Sequence, residues 1–531
     1  MVLTNQKICG IIQKKRKKGV FVMDNQSYYE PQTKKKAFGV PERVFAFLYF
    51  VIGYLLLKTF TGSGAGLGAF ITVLILIVSA AVFFAVKGIK QGAFHYIYLT
   101  VTAAFGLVYI LSDNGFIKFL VTVYILFALM FYMYFTEGSG RYEFINDMLV
   151  FDGIKSLFIM PFSCIASIFP AAFSSNRKTK SGFKIWHVLA GLGAAILPTV
   201  IVASLLIKAD TGFSDVMRKI GDFFTSNVRA EIFRLIFAVP VAMYFFGGLY
   251  ANAEGKHRAV LTKEHRESFL SAVSFLPKAA AYASVTPLCV LYVIFLSVQA
   301  KYYFGGFSAD VPSGMTYAEY ARSGFFELCA VSVINALVII ALTVFTKKKE
   351  DGKPSLSLKI YSVVLCCFTL LLIAVAISKM AVYIGGYGLT RLRVYTSWFM
   401  ILLAFAFIFL IIKQFAAKFN FFAALSAAFV LLFGVLCFSD VDARIAEYNV
   451  NMYLTKESAG IDLDELEKLS DSAVPYIEML AEPKDDGAKN ETVAKRARAI
   501  LKKKKENGKK DDSIIYFNMP KYKAEQVTSK Y

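Results

Sequence analysis

Charge is scarce in this sequence. Only 18% of its 531 residues are Asp, Glu, Lys or Arg, where a water-soluble chain carries roughly a quarter. That scarcity argues against a soluble globular domain. Metal-ligating side chains are just as thinly spread. The four histidines, His95, His187, His257 and His265, never cluster at ligand spacing, and the seven cysteines form no CxxC pair. Neither a disulfide framework nor a His/Cys metal site is expected. No P-loop, GxSxG, HExxH or kinase signature occurs, and no cofactor is expected. "GSGAGLG" (62–68) looks superficially like a nucleotide loop, but no strand precedes it and it reads as a turn between two spans. No short apolar core precedes the first span, so a cleavable signal peptide is not expected.

What is abundant is hydrophobic length. Hydrophobic residues make up 57% of the chain, with 51 Phe and 29 Tyr. Apolar runs of about 20 residues recur, enough to cross a hydrocarbon core roughly 30 Å thick. The expected fold is all-α: a polytopic transmembrane helix bundle of about 11 spans with a small helical extracytoplasmic C-terminal tail. The spans fall near 43–60, 66–86, 94–111, 116–135, 185–207, 231–249, 279–298, 325–345, 359–379, 395–412 and 421–438. The chain then divides into a basic cytoplasmic segment (1–42), four spans (43–135), an interfacial segment (136–184), a seven-helix core (185–438) and the polar tail (439–531). Residues 148–173 are apolar but carry Asp152, Lys155 and two prolines. They read as an interfacial or re-entrant piece rather than a further span.

The net charge of +21 would suggest nucleic acid in a soluble protein. Here Lys and Arg concentrate in alternate loops, which the positive-inside rule converts into topology. The N-terminus is expected in the cytoplasm, the tail outside, and the whole chain in the plasma membrane. The lipid bilayer is the expected partner and nucleic acid is not. In the tail, 461–482 reads as two short helices and 491–505 as a third, strongly basic one.

Polar residues gather where spans meet the outer surface. Gly385, Gly386 and Gly388 are expected to break the chain, and Thr390 to cap the helix that carries Arg391 and Arg393 in its first turn. An arginine there reaches water along its stem, whereas at the bilayer centre it costs about 2.5 kcal/mol or more. "YARSGFFEL" (320–328) contributes Arg322 and Glu327, "KADTGF" (208–213) contributes Asp210, and "DVDARIAEYN" (440–449) contributes Asp440, Asp442, Arg444, Glu447 and Asn449. Helices that point their N-termini outward favour anions. With Arg322, Arg391 and Arg393, flanked by Thr390 and Tyr387, they suit a phosphate or carboxylate. The alternative is internal: Asp210, Glu327, Asp440 and Asp442, with Arg444, form a charge network that locks the spans together. Arg234 is expected near the inner side, out of reach of Glu327. Asn335 is expected to hydrogen-bond between helices, and Pro198, Pro240 and Pro287 to kink their spans.

The stretches "LLIKADTGF", "YARSGFFEL", "YGLTRLRVY" and "DARIAEYN…LSDSAVP", in that order across about 186–480, resemble the signature of a bacterial multi-pass family, DUF4173, and its relative DUF4153. The resemblance implies an integral membrane protein and carries over no catalytic residue. Three functions follow as expectations. The first is binding or moving an anionic envelope component, such as a lipid headgroup or lipid-linked precursor. The second is a sensor or scaffold. The third, ranked last, is a transferase using Asp440, Asp442 or Glu327, because a lone DxD without a base or metal cluster is thin ground.

Overall fold

The computed structural model describes residues 38–61, 64–137, 149–173, parts of 199–217, 226–255, 273–304, 325–346, 356–416, 418–455, 460–482, 488–508 and 513–531. By compactness the chain divides at Gly39 and Val40, and only Phe38 and Gly39 of the first unit are described. The basic segment up to residue 37, Arg322, and most of the expected span 185–207 lie outside the described residues.

The described part is built of helices, with no strand beyond an isolated bridge between Leu276 and Thr346. Among the described residues ten helices are long and apolar enough to cross a membrane, and the chain is an integral membrane protein. They are α1 (Val40–Phe60), α2 (Leu67–Val86), α3 (Ala93–Leu111), α4 (Gly115–Glu137), α7 (Ser226–Ala253), α8 (Lys278–Phe304), α9 (Phe325–Phe345), α10 (Leu356–Tyr387), α11 (Arg391–Phe415) and α12 (Phe421–Phe438). Between α4 and α7 lie α5 (Leu149–Ser163) and α6 (Ile165–Phe173), bent by 42° at Cys164. Their contacts fall on one half of the bundle: Tyr134 donates to Asp152 at 3.1 Å, Tyr244 to the Leu157 carbonyl at 2.9 Å, and Phe173 meets Phe47 edge-on. That half ends in a cluster where Lys87 pairs with Glu42 and Glu254. The bend at Cys164 fits either a broken span or the re-entrant piece the sequence suggested.

Small residues let α1, α5 and α7 approach closely, as membrane interfaces require. A Cβ on Gly53 of α1 would stand 2.7 Å from the Ala238 carbonyl of α7, and one on Gly247 would stand 2.6 Å from that of Pro161. Helices α8 to α11 build a second core around Leu365, Cys366, Leu372, Ile373, Met400 and Phe407. At its centre Asn335 of α9 accepts from Tyr292 of α8 at 2.6 Å and donates to Thr369 of α10 at 2.9 Å. The asparagine ties three helices, as its position in an apolar run suggested. An aromatic seam joins the two halves: Phe105 and Tyr124 pack on Phe433, and Trp398 flanks it.

The tail continues as α13 (Val441–Thr455), α14 (Leu463–Lys468), α15 (Val474–Ala481), α16 (Ala488–Gly508) and α17 (Met519–Thr528). Pro475 occupies the first turn of α15, where its missing N–H costs nothing. Leu466, Leu469, Val474, Ile477, Ala497, Ile500 and Leu501 close a small core of their own. The tail folds back on the bundle: Tyr516 donates to the Lys58 carbonyl at 3.3 Å, and the Leu67 amide donates to Phe517 at 2.9 Å. Of the turn expected at 62–68, residues 62 and 63 lie outside the described residues and Leu67 already opens α2. Gly66 has no room for a side chain, because its Cβ would stand 2.6 Å from the Phe517 carbonyl oxygen.

Candidate functional site at the junction of bundle and tail

The helix break before α11 is narrower than the three glycines suggested. Gly385 and Gly386 remain inside α10, and only Gly388, at φ 76°, leaves the helical region. Thr390 then caps α11, accepting from the Arg393 amide at 3.4 Å. Asn449 of α13 seals the turn from the other side: its amide bonds both the N–H (2.7 Å) and the C=O (2.8 Å) of Leu389. A side chain at 388 would collide with the Asn449 amide oxygen. The turn thus sets Arg391 facing the start of α13.

Asp442 stands there fully buried. Arg391 donates to it through Nε at 2.8 Å and Nη2 at 2.5 Å, the two-pronged geometry that fixes both orientation and charge. The side chain of Asn114, in the α3–α4 turn, donates at 2.9 Å, and the backbone N–H of Ser470, ahead of α15, donates at 2.9 Å. Asn114 is also tied to Tyr395 of α11 at 2.9 Å. Burial pushes the Asp442 carboxyl up, but the hydrogen bonds from Arg391 and Ser470 outweigh it and hold the group below its ordinary value. One carboxylate therefore joins α11, the α3–α4 turn and the tail.

A second cluster adjoins the first. Asp113 lies 3.6 Å from Lys118 and accepts from Asn518 of the tail at 3.2 Å. Lys118 also donates to the Ala65 carbonyl at 2.6 Å. Burial outweighs the attraction of Lys118 and raises the Asp113 carboxyl above its ordinary value. Lys504 of α16 caps the Leu469 carbonyl at 2.7 Å and pairs with Asp471 at 3.3 Å.

The other expected residues are engaged separately. Arg393 donates to the carbonyls of Tyr387 (3.0 Å) and Gly388, and its guanidinium lies 3.9 Å over the Tyr383 ring. It closes the C-terminus of α10, where a cation is favoured. Tyr387 is half-exposed, and its ring packs on Tyr383. Asp440, in the left-handed region at φ 50°, starts α13, and burial raises its carboxyl above the ordinary value. Arg444 pairs with Glu447 on the same helix at 2.8 Å. Asp210 caps its own turn through the Phe213 amide at 2.5 Å. Glu327 lies within electrostatic reach of Lys379, a lysine the sequence had not singled out. Arg234 is a correction: it bonds Thr61 at 3.3 Å and Glu231 at 2.7 Å, at the tail end of the bundle. The helix after the 208–231 loop enters from that end, so depth does not separate Arg234 from Glu327. Among the described residues no group of three or more His, Cys, Asp or Glu is placed to hold a metal ion.

Sequence reasoning missed Asn114, Ser470, Asp113 and Lys118. Asn114 and Asp113 lie in a four-residue turn whose polarity looks ordinary, and Lys118 is a single cation at a span end. Only their distant partners give them meaning.

A family model described as "Domain of unknown function (DUF4153)" matches residues 99–480, a range that holds Asn114, Arg391, Asp442 and Ser470. It is the relative of the family whose motifs the sequence resembled first. No curated protein and no solved structure matches.

Proposed function

The chain belongs to the DUF4153 family, and from that premise we propose that it is a membrane scaffold that holds a helical tail domain against one end of its transmembrane bundle and presents it to an envelope partner. The observation that carries this reading is Asp442. It is fully buried, and its oxygens are occupied by donors from α11, the α3–α4 turn and the tail. A carboxylate so surrounded serves position rather than turnover. Loop charge supports a cytoplasmic N-terminus and an extracytoplasmic tail in the plasma membrane. Photo-crosslinkers at the exposed positions Lys495 and Lys502 test the scaffold in cells. A defined adduct in the parent chain that disappears in Asp442→Asn is expected. An adduct of equal yield in both, or none in either, contradicts the reading.

One observation favours a second reading, the binding of an anionic lipid headgroup or lipid-linked precursor. Among the described residues Arg393 bonds only carbonyls and an aromatic ring, so no carboxylate neutralises it. A cleft lined by Leu389, Arg444, Glu447 and Asn451 opens next to the same turn. Anionic lipid binding to the chain in nanodiscs should then weaken in Arg393→Ala. Unchanged affinity for every lipid tested removes this reading and leaves the scaffold untouched.

A further inference from the structure

The last part of the tail is fixed at the depth where the apolar spans begin. Residues 514–517 cross the ends of α1 and α2 through the Tyr516–Lys58 and Leu67–Phe517 hydrogen bonds. Ile515 packs on Gly68 so closely that a Cβ there would stand 2.5 Å from it. Asn518 then caps α17, accepting from the Lys521 amide at 2.9 Å, while its side chain reaches Asp113. α17 packs on the last turn of α3, Val108–Leu111.

At this level the segment leaves large apolar groups uncovered. Ile514 is 74% exposed, Tyr522 49% and Met519 39%. Met519 and Tyr522 share one face of α17 by their spacing of three, while Pro520, Ala524 and Thr528 turn inward. The neighbouring spans are uncovered at the same depth: Ile71 is 46% exposed, Leu111 44% and Phe116 49%. Lys523, beside Tyr522, is exposed, and Lys521 is half-buried 3.9 Å from Glu525.

We infer that residues 513–523 form an interfacial lipid-docking surface that takes anionic phospholipid. Ile514 and Met519 enter the upper acyl region, continuous with the lipid-facing side of α2 and α3. Tyr522 sits at headgroup level, as amphipathic rings do at membrane interfaces. Lys521 and Lys523 meet the phosphates, because basic groups near an anionic membrane surface strengthen its binding. The tail is thereby anchored twice, by the Asp442 junction to protein and by this segment to lipid. The inference stands independently of the scaffold reading.

The test uses the full chain in nanodiscs of phosphatidylcholine and phosphatidylglycerol. In a background carrying Trp186→Phe and Trp398→Phe, Ile514→Trp should lose emission when the acyl chains are brominated. Lys502→Trp, at an exposed position of α16, should not. An Ile514→Trp signal indifferent to brominated lipid and quenched instead from water overturns the inference. The parent chain gives a second readout without substitution. Lipid carrying a photoreactive acyl diazirine should label the peptide spanning 513–523, more strongly with phosphatidylglycerol present. No label overturns the surface, and labelling indifferent to phosphatidylglycerol overturns its anionic preference.

Discussion

Where α1 crosses α7, the two backbones nearly touch: Gly53 faces the Ala238 carbonyl, and Tyr49 is fully buried beside Phe246. Where α11 meets α12, Trp398 reaches across, its ring against Phe433 and its indole N–H donating to the Leu432 carbonyl at 2.8 Å. The same contrast runs through the two halves. In α1 to α4 and α7 between 33% and 56% of each apolar window is buried within the protein; in α8, α9, α11 and α12 the share is 11% to 28%, and only α10, at the centre of the second core, reaches 44%. Since lipid is as apolar as Leu, membrane helices hold together by close packing and polar contacts rather than by hydrophobic exclusion. The first half has close packing in abundance. The second has an asparagine clasp in its core and, at its end, the junction with the tail. Its geometry therefore depends on few groups, and these are where the protein is easiest to break.

The largest effect is expected at the junction. Asp442→Ala removes the acceptor of Arg391, Asn114 and Ser470 and leaves a guanidinium that is about one-third exposed. Breaking a buried pair costs about 3 kcal/mol, and thermal unfolding in nanodiscs should show that loss along with protease-sensitive tail helices. Next comes close packing. Gly53→Ala forces α1 off α7 at a cost of about 2 kcal/mol, whereas Gly434→Ala meets only the Phe105 ring at 3.8 Å and should leave the melting temperature unchanged. Equal effects from the two glycines would erase the contrast between halves.

Much of this was legible. The expected spans 325–345 and 421–438 coincide with α9 and α12, because uninterrupted apolar runs with polar flanks leave one solution. The Thr390 cap and the asparagine clasp were also readable, each from local chemistry. The span expected at 359–379 is longer in the structure, where α10 runs to Tyr387 and Lys379 lies within electrostatic reach of Glu327. The tail's docking was not readable at all. Asp442 and Asn114 are 328 residues apart, and Tyr516 and Lys58 are 458 apart. Nothing in either local pattern names the other. The sequence placed Arg391 and Asp442 on one surface and left open whether they bind a ligand or each other; two-pronged geometry with full burial of Asp442 shows that they bind each other.

Smaller effects sharpen the comparison further. Asn335→Ala deprives Tyr292 and Thr369 of their common partner and should cost about 1 kcal/mol, near the scale of interhelical hydrogen bonds in membranes. The two aspartates of the DxD should respond oppositely to acid. Asp442 is held below its ordinary value, so its contribution is present above the unfolded value and is lost only as pH falls through the depressed folded one. Asp440 and Asp113 lie above theirs, so each binds more protons folded than unfolded, and stability rises as pH falls through that window. Tail docking should therefore tighten slightly on mild acidification and fail in strong acid. Asp440→Asn, which keeps a good cap and tolerates positive φ, should shift stability by less than about 0.5 kcal/mol and flatten the mild-acid rise.

Hydrogen–deuterium exchange on the full chain in nanodiscs, parent against Asp442→Asn, is the most direct measurement. The account predicts that amides in 463–481 lose protection in the variant while those in α1 to α4 keep theirs. Tail amides equally protected in both would contradict it, since the domain would then be held by something other than the buried carboxylate.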